Sequence, residues 1–439
     1  MPIRLTVLGC SYLGATHAAC MAELGFEVLG VDIDAERIAR LAAGRSPFYE
    51  HDLPELLATH VRSGRLRFTT SYEEAAEFGD VHFVCTGTPQ LPGRFDADMS
   101  QVRSAIATLA PLLRRPCVVV GKSTVPVGTA AQLATTLTEL APAGDAVDLV
   151  WNPEFLREGF AVQDTLQPNR IVVGVSSERP IDTMRQVYAR SIERGSPFLV
   201  MDYPTAELVK GAANAFLATK ISFINAMAEL CEATGGDVTM LTQALAHDER
   251  IGGKFLRSGL GFGGGCLPKD IRAFTARAEE LGGGGAVTFL KEIDAINLRR
   301  RTRAVEVARE LLGDSAEGRQ VAVLGAAFKP DSDDVRDSPA LEVASSLARE
   351  GARVIVYDPE AMANAKRLHP ELDYADTLED AVRDADAVLL LTEWKQFRTA
   401  DPAAFASLVR HPRILDARNV LDANAWRAAG WEYRALGRP

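Results

Sequence analysis

Short apolar runs alternate with helix-period segments along the first part of the chain. The runs at Leu5–Gly9, Glu27–Asp32, Val81–Cys85, Cys117–Gly121, Asp148–Trp151 and Arg170–Val175 read as strands. Segments such as Ala15–Leu24 and Asp34–Ala42 repeat their apolar residues at helical spacing. Strands separated by crossovers predict a parallel sheet with helices on both faces. From about Asp202 the pattern changes. Thr205–Thr234 has few strand formers until Gly235 and Gly236, and Ala286–Leu312 is a second long helical pattern. The alternation returns with strands at Gln320–Leu324, Arg353–Tyr357, Ala387–Leu391 and Arg413–Leu415, and a helix over Pro339–Glu350.

The two ends echo each other. Val7-Leu8-Gly9, a helix and Asp32 match Val323-Leu324-Gly325, a helix and Asp358. The expected fold class is therefore α/β: two Rossmann-like doubly wound domains joined by a central helical segment. The boundaries drawn are 1–200, 201–312 and 313–439. A length of 439 residues fits two to three domains.

Composition narrows the partners. Lys and Arg total 48 against 59 Asp and Glu, a net charge of −11 that disfavours a nucleic-acid partner. Arg299, Arg300, Arg301 and Arg303 read as a solvated helix face. The cysteines at 10, 20, 85, 117, 231 and 266 form no CxxC pair, as expected of reduced thiols in a cytoplasmic protein with no bound metal. The apolar run after Met1 is too short for a signal peptide, and no run approaches a membrane span.

Three stretches carry candidate chemistry. Gly9-Cys10-Ser11-Tyr12-Leu13-Gly14 joins the first strand to the first helix as GxGxxG with Ser11 at the middle position. A helix start there faces a pyrophosphate with N–H groups and a positive dipole end. Asp32 ends the second strand, where a carboxylate accepts ribose hydroxyls and favours NAD over NADP. Thr86-Gly87-Thr88 and Ser123-Thr124 follow other strands, as cofactor or substrate contacts or as plain turn residues. The second stretch is Gly261-Phe262-Gly263-Gly264-Gly265-Cys266-Leu267-Pro268-Lys269-Asp270. Its glycines let a ligand approach the backbone. Cys266 falls just before a helix start, where the dipole favours thiolate, so a nucleophile is the preferred reading over a core residue. Asp270 lies one turn on. Lys210 and Asn214 sit four apart on a predicted helix, either as charge stabilisers or as an exposed surface pair. The third stretch is Asn152 to Gly159, where Glu154 and Glu158 are base and orienter or the acidic first turn of a helix.

These motifs, with Lys122 to Thr129 and Ala327-Phe328-Lys329-Pro330 through Asp333-Asp334-Val335-Arg336, resemble the UDP-glucose/GDP-mannose dehydrogenase family nearly end to end. The resemblance implies two successive NAD-dependent oxidations at C6 of a nucleotide sugar through a thiohemiacetal and a thioester. Cys266 is then the nucleophile, Lys210 and Asn214 stabilise oxygen charge, Asp270 and Thr124 hold a water, and Glu154 is a base in thioester hydrolysis. NAD contacts fall to Gly9, Ser11, Tyr12, Leu13, Gly14, Asp32, Thr86, Thr124, Glu158 and Arg336. Sugar-nucleotide contacts fall to Glu154, Phe155, Leu156, Lys210, Asn214, Gly263, Phe328 and Lys329. Arg250-Ile251-Gly252-Gly253-Lys254-Phe255-Leu256 resembles the RIGxxFL pattern of the UDP-glucose branch, whose arginine can come from a neighbouring subunit. Residue by residue, Arg250 otherwise reads as a surface charge and Phe255 as core. A homodimer or higher homo-oligomer is implied. The alternatives are the same chemistry on GDP-mannose or another UDP-hexose, a two-electron hydroxyacid dehydrogenase, and a non-catalytic NAD-responsive binding protein. Ser11, Gly265 and Leu267 depart from the family pattern, which more often has Gly, Ser and Phe there.

Overall fold

The computed structural model describes residues 2–438. The chain packs as two compact units, divided between Ala213 and Asn214.

The first unit is built on eight strands: β1 Arg4–Leu8, β2 Glu27–Val31, β3 Leu66–Thr69, β4 Val81–Val84, β5 Cys117–Gly121, β6 Val147–Trp151, β7 Ile171–Gly174 and β8 Phe198–Met201. They lie in the order β3-β2-β1-β4-β5-β6-β7-β8. Successive side chains of a strand point to opposite faces, and each face here has its own core. Leu5 and Val7 of β1 and Val118 and Val120 of β5 join one core, while Leu8, Cys117 and Val119 join the other. That double coverage explains why the central strands read as unbroken apolar runs. One expectation is corrected. The sheet is not wholly parallel, because β7 meets β6 antiparallel through the Trp151–Gly174 pair, and β8 runs parallel to β7.

The second unit carries six parallel strands: β9 Gln320–Leu324, β10 Arg353–Tyr357, β11 Asp373–Tyr374, β12 Ala387–Leu390, β13 Arg413–Asp416 and β14 Glu432–Ala435. Their order, β11-β10-β9-β12-β13-β14, repeats that of β3-β2-β1-β4-β5-β6, so the echo seen in sequence is an echo of topology. Both follow the doubly wound order 3-2-1-4-5-6. The helix Pro339–Arg349 starts at Ser338, whose hydroxyl caps the Leu341 N–H, with Pro339 in the first turn.

The helix Phe289–Leu311 overturns the solvated reading of its arginines. Arg300 is 0% and Arg301 3% exposed. Arg300 bonds Glu232 at 3.2 Å and the Gly259 carbonyl at 3.3 Å. Arg301 pairs with Asp337 at 2.7 Å and with Glu342. Of the four clustered arginines, Arg299 and Arg303 reach solvent, at 50% and 30% of their side chains. A buried cation is tolerated when paired and hydrogen-bonded, and the acids that do this lie far away in sequence. Arg300→Ala empties a packed site and leaves Glu232 to Arg303 and the Gly437 N–H alone. The expected loss is about 3 kcal/mol or more, read by denaturant titration.

Candidate active site

In the first unit, the helix Tyr12–Glu23 starts directly after the loop that leaves β1. Gly9 holds φ +89°, where a side chain is strained, and a Cβ on Gly14 would overlap the Gly9 carbonyl oxygen. Ser11 is the N-cap residue, yet its hydroxyl makes no capping bond. Asp32 accepts from the Cys10 N–H at 2.7 Å and the Asp34 N–H at 3.0 Å, and pairs with Arg37 at 3.0 Å. Thr86 packs against Gly9, and its buried Oγ1 has no hydrogen-bond partner. A glycine cradle, an uncapped helix start, a carboxylate at the end of β2 and an orphaned hydroxyl fit an adenine dinucleotide.

Glu50 and Arg37 escaped the reading of the sequence. The buried Glu50 carboxylate accepts from Tyr12 Oη, from the Gly159 N–H at 2.7 Å and from the Ala161 N–H at 2.8 Å. It thereby ties the dinucleotide loop to the segment after β6. Burial, and then the Glu50 charge, push the Tyr12 phenol well above its ordinary range. Arg37 was detectable as a cation one turn beyond Asp32; Glu50 left no periodic or motif signal.

The segment from Asn152 to Gly159 is an extended loop, and the next helix begins only at Ala161. Glu154 and Glu158 therefore do not form the acidic first turn of a helix. Glu154 pairs with Lys210 at 2.9 Å and accepts the Leu156 N–H at 2.6 Å. Burial disfavours its ionisation. The Lys210 charge and hydrogen bond, the Leu156 N–H and the Lys122 charge outweigh that, and hold the carboxyl below the usual glutamate range. The Phe155 ring lies under Arg170, 3.7 Å from its centroid, with Lys210 at 5.8 Å. Thr124 is half-buried, and its carbonyl accepts from Thr88 Oγ1 at 2.8 Å.

Lys210 and Asn214 lie on the helix Tyr203–Thr234 and both are buried, which excludes an exposed surface pair. In the second unit, Asn214 Nδ2 donates to Asp270 at 2.6 Å, and Lys269 pairs with the other Asp270 oxygen at 2.5 Å. Asp270 belongs to the helix Leu267–Glu280, for which Cys266 is the N-cap residue and Pro268 lies in the first turn. The other five cysteines are buried, and Cys266 is exposed. The sealed-core reading of this thiol is thus excluded.

Each glycine ahead of Cys266 is pressed by a neighbour. A Cβ would overlap Asn297 at Gly261, the Asp337 carbonyl at Gly263, the Phe328 ring at Gly264 and the Arg336 guanidinium at Gly265. Serine at 265 would therefore displace Arg336, which itself pairs with Asp334 at 2.6 Å. Asn297 clamps both the N–H and the carbonyl of Phe262, at 2.7 and 2.9 Å, and Arg301 adds a bond to the same carbonyl. Arg418 bonds the carbonyls of Gly261 and Phe328 at 3.0 and 3.3 Å. None of Asn297, Arg301 and Arg418 was assigned to the site from sequence. Lys329 lies over the Phe328 ring at 5.6 Å.

Arg250 is 89% exposed on its side chain and pairs only with Asp248 among the described residues. Phe255 holds φ +64° and is exposed, so it is not core; Leu256 is buried beside it. Lys220 holds this loop through the carbonyls of Ile251 and Gly252.

Asp358 occupies the position equivalent to Asp32, with a different outcome. Its two oxygens accept from the N–H groups of Ala326, Ala327, Glu360 and Ala361 and from Trp394 Nε1, all at 2.7–3.0 Å. A carboxylate so filled has no lone pair left for a ribose.

A dinucleotide cradle, a second nucleotide-binding-like sheet and an accessible thiol at a helix start define a nucleotide-dependent dehydrogenase. Sequence profiles of one family cover most of the chain. Its NAD binding domain matches residues 3–192, its central domain 204–299 and its UDP binding domain 322–423. The chain belongs to the UDP-glucose/GDP-mannose dehydrogenase family. It is 40% identical to the UDP-glucose 6-dehydrogenase of Rhizobium meliloti (strain 1021) across 100% of both chains. It is 40% identical to the enzyme of that name from Pseudomonas aeruginosa, over 100% of this chain and 98% of the other. A UDP-glucose dehydrogenase structure from the archaeon Pyrobaculum islandicum matches with TM-score 0.92 and 38% identity, covering 100% of this chain and 98% of that one. A GDP-mannose dehydrogenase structure matches with TM-score 0.55 and 25% identity over 99% of this chain and 100% of that one.

Accessibility predicts chemistry. Iodoacetamide should label Cys266 first, near one equivalent per chain, as read by peptide mass spectrometry. Cys10, Cys20 and Cys85 should lag far behind, because burial pushes those thiols up.

Proposed function

We propose that this chain oxidises C6 of UDP-glucose to the carboxylate of UDP-glucuronate, in two two-electron steps that each reduce one NAD. The observation that carries the reading is Cys266, exposed at a helix start behind a glycine run that other residues grip from every side. Such a thiol can capture an aldehyde as a thiohemiacetal, which still holds a transferable hydrogen, and then carry the thioester left after the second oxidation. NAD, held by the Gly9–Gly14 loop, Asp32 and Thr86, supplies the hydride acceptor for both oxidations.

The remaining work falls to side chains of this chain. The Lys210 ammonium and the Asn214 amide stabilise negative charge on the C6 oxygen. Asp270 and Thr124 orient the water that attacks the thioester. Glu154, kept ionised beside Lys210, takes that water's proton. Glu158 and Arg336 contact the cofactor. Phe155, Leu156, Gly263, Phe328 and Lys329 line the sugar-nucleotide site, with the UDP end on the second sheet.

The domains follow as 1–200 for NAD, 201–312 for the central helical segment and 313–439 for UDP. Phe216, Phe223 and Leu230 are exposed seven residues apart along the long helix, an apolar stripe that suits a second copy of the chain. Arg250, extended into solvent, is then offered to the neighbouring subunit's sugar site. Among the described residues no helix is long and apolar enough to cross a membrane. Reduced, unpaired cysteines favour a cytoplasmic setting. The stronger likeness to proteins named for UDP-glucose than to the GDP-mannose dehydrogenase supports the UDP sugar.

The test is NADH stoichiometry with a panel of UDP- and GDP-sugars. Two NADH per UDP-glucose are expected, and one would indicate a simple alcohol dehydrogenase. Cys266→Ser should lose acid formation; wild-type turnover would eliminate the covalent step. Arg250→Ala should raise KM for the sugar nucleotide about tenfold or more while the Kd for NAD stays unchanged.

A further inference from the structure

A cavity of about 50 Å³ lies behind Glu154 in the first unit. Its lining includes Glu154, Lys122, Asn152, His17 and Tyr188, and reaches Asn169 at the surface. Neither Lys122 nor His17 has a role in the mechanism above.

Lys122 is buried, and among the described residues no carboxylate lies within 4.0 Å of its ammonium. Nζ instead donates to Asn152 Oδ1 at 2.9 Å, and to the Asn152 carbonyl and Tyr188 Oη at 3.4 Å each. The rings of Phe83 and Tyr188 flank it at 5.9 and 6.0 Å. Burying an ammonium with no carboxylate in direct contact is costly, and the Glu154 charge offsets that only from a distance, so its retention asks for a use. His17 is equally buried, and its Nε2 has no hydrogen-bond partner. Burial, and then the Lys122 charge, hold this imidazole neutral at ordinary pH. A cavity of this size accommodates about three waters, and although much of its wall is apolar, the Lys122 ammonium, the Asn152 amide and His17 Nε2 give them polar partners.

Thioester hydrolysis creates a need at this spot. Glu154 receives one proton from the attacking water in each cycle and must lose it before the next. The Glu154 side chain is 14% exposed and is held by Lys210 at 2.9 Å, so a bound sugar nucleotide would leave the cavity as its way to solvent.

We propose that the cavity is a water-filled proton outlet for Glu154, in which Lys122 and His17 hold the water. The proton passes from the Glu154 carboxyl to a cavity water and out past Asn169, while the carboxylate is regenerated; no electrons move. Lys122 and His17 are positioning residues, holding the water rather than touching substrate. The charged and titratable groups around Glu154 are Lys210 from the long helix, Lys122 after β5, Cys85 after β4, and Arg170 and Asp164 on the cavity wall. Asp164 is neutralised by Arg157 at 2.7 Å, which leaves cations dominant and favours departure of the proton. This inference rests on the reading of Glu154 as the hydrolytic base.

The experiment is rapid-quench turnover with UDP-glucose and NAD, following NADH by absorbance and the acyl-enzyme by intact-protein mass spectrometry. Glu154→Gln serves as the reference that traps the adduct. Lys122→Met should form two NADH at near wild-type burst rate, then accumulate acyl-enzyme and fall at least about tenfold in kcat, with KM for both substrates little changed. Its solvent deuterium isotope effect on kcat should exceed the wild-type value, which a purely structural defect would not produce. Lys122→Arg, which keeps the charge, should recover part of the rate. Acyl-enzyme draining from Lys122→Met at the wild-type rate, with an unchanged isotope effect, overturns the outlet alone. Absence of an adduct even in Glu154→Gln overturns the hydrolytic reading and the outlet with it. A crystal structure of the unmutated protein should show ordered water bridging Glu154, Lys122 and His17 Nε2. A dry cavity there overturns the outlet whatever the variants do.

Discussion

The largely buried ion pair between Glu154 and Lys210 is the interaction on which the region after β6 depends. Taking either charge out of water alone costs several kcal/mol, so each helps to hold the other where it is. The pair joins two parts of the chain that have no local reason to meet: the loop that leaves β6 and the start of the long helix. Around it the structure adds the Leu156 N–H and the more distant Lys122 charge. The outcome is a carboxylate that stays ionised in spite of burial. That is the state the proposed role of Glu154 as a base requires.

The second unit solves a different problem, that of presenting a thiol to solvent on a rigid support. Cysteines generally sink into the core, as the other five do here. Cys266 is kept out by its place at a helix start. The backbone before it is thinned to glycine and gripped by Asn297, Arg301 and Arg418. Flexible residues are thereby made stiff. A glycine run without such a clamp loses more chain entropy on ordering than any other sequence of its length.

Most of this fold could be read from the chain because the central strands are covered on both faces, and double burial writes itself as an apolar run. The strands that went unread are β3, β8, β11 and β14, and all four are sheet edges. Their residues alternate between cover and solvent or are half-exposed throughout, which breaks the run. Charged residues failed for a related reason. Arg300 and Arg301 look like surface charges until Glu232, Asp337 and Glu342 are seen folded against them, and nothing local announces partners so distant. The place of Cys266 and Asp270 at a helix start, and of the Gly9–Gly14 loop ahead of another, could be read because such starts are marked by neighbours within a few residues. Glu50, Lys122 and Asn297 act across dozens of positions and left no such trace.

The two sheets share one strand order but have ceased to be interchangeable. In the first, Asp32 shares its oxygens between two peptide groups and the partly exposed Arg37 side chain; in the second, Asp358 is locked by an indole and four peptide groups. One strand order thus carries two different fates for the acid at the same position. A ribose that seeks a carboxylate at the end of the second strand meets an open acceptor on one sheet and a closed one on the other.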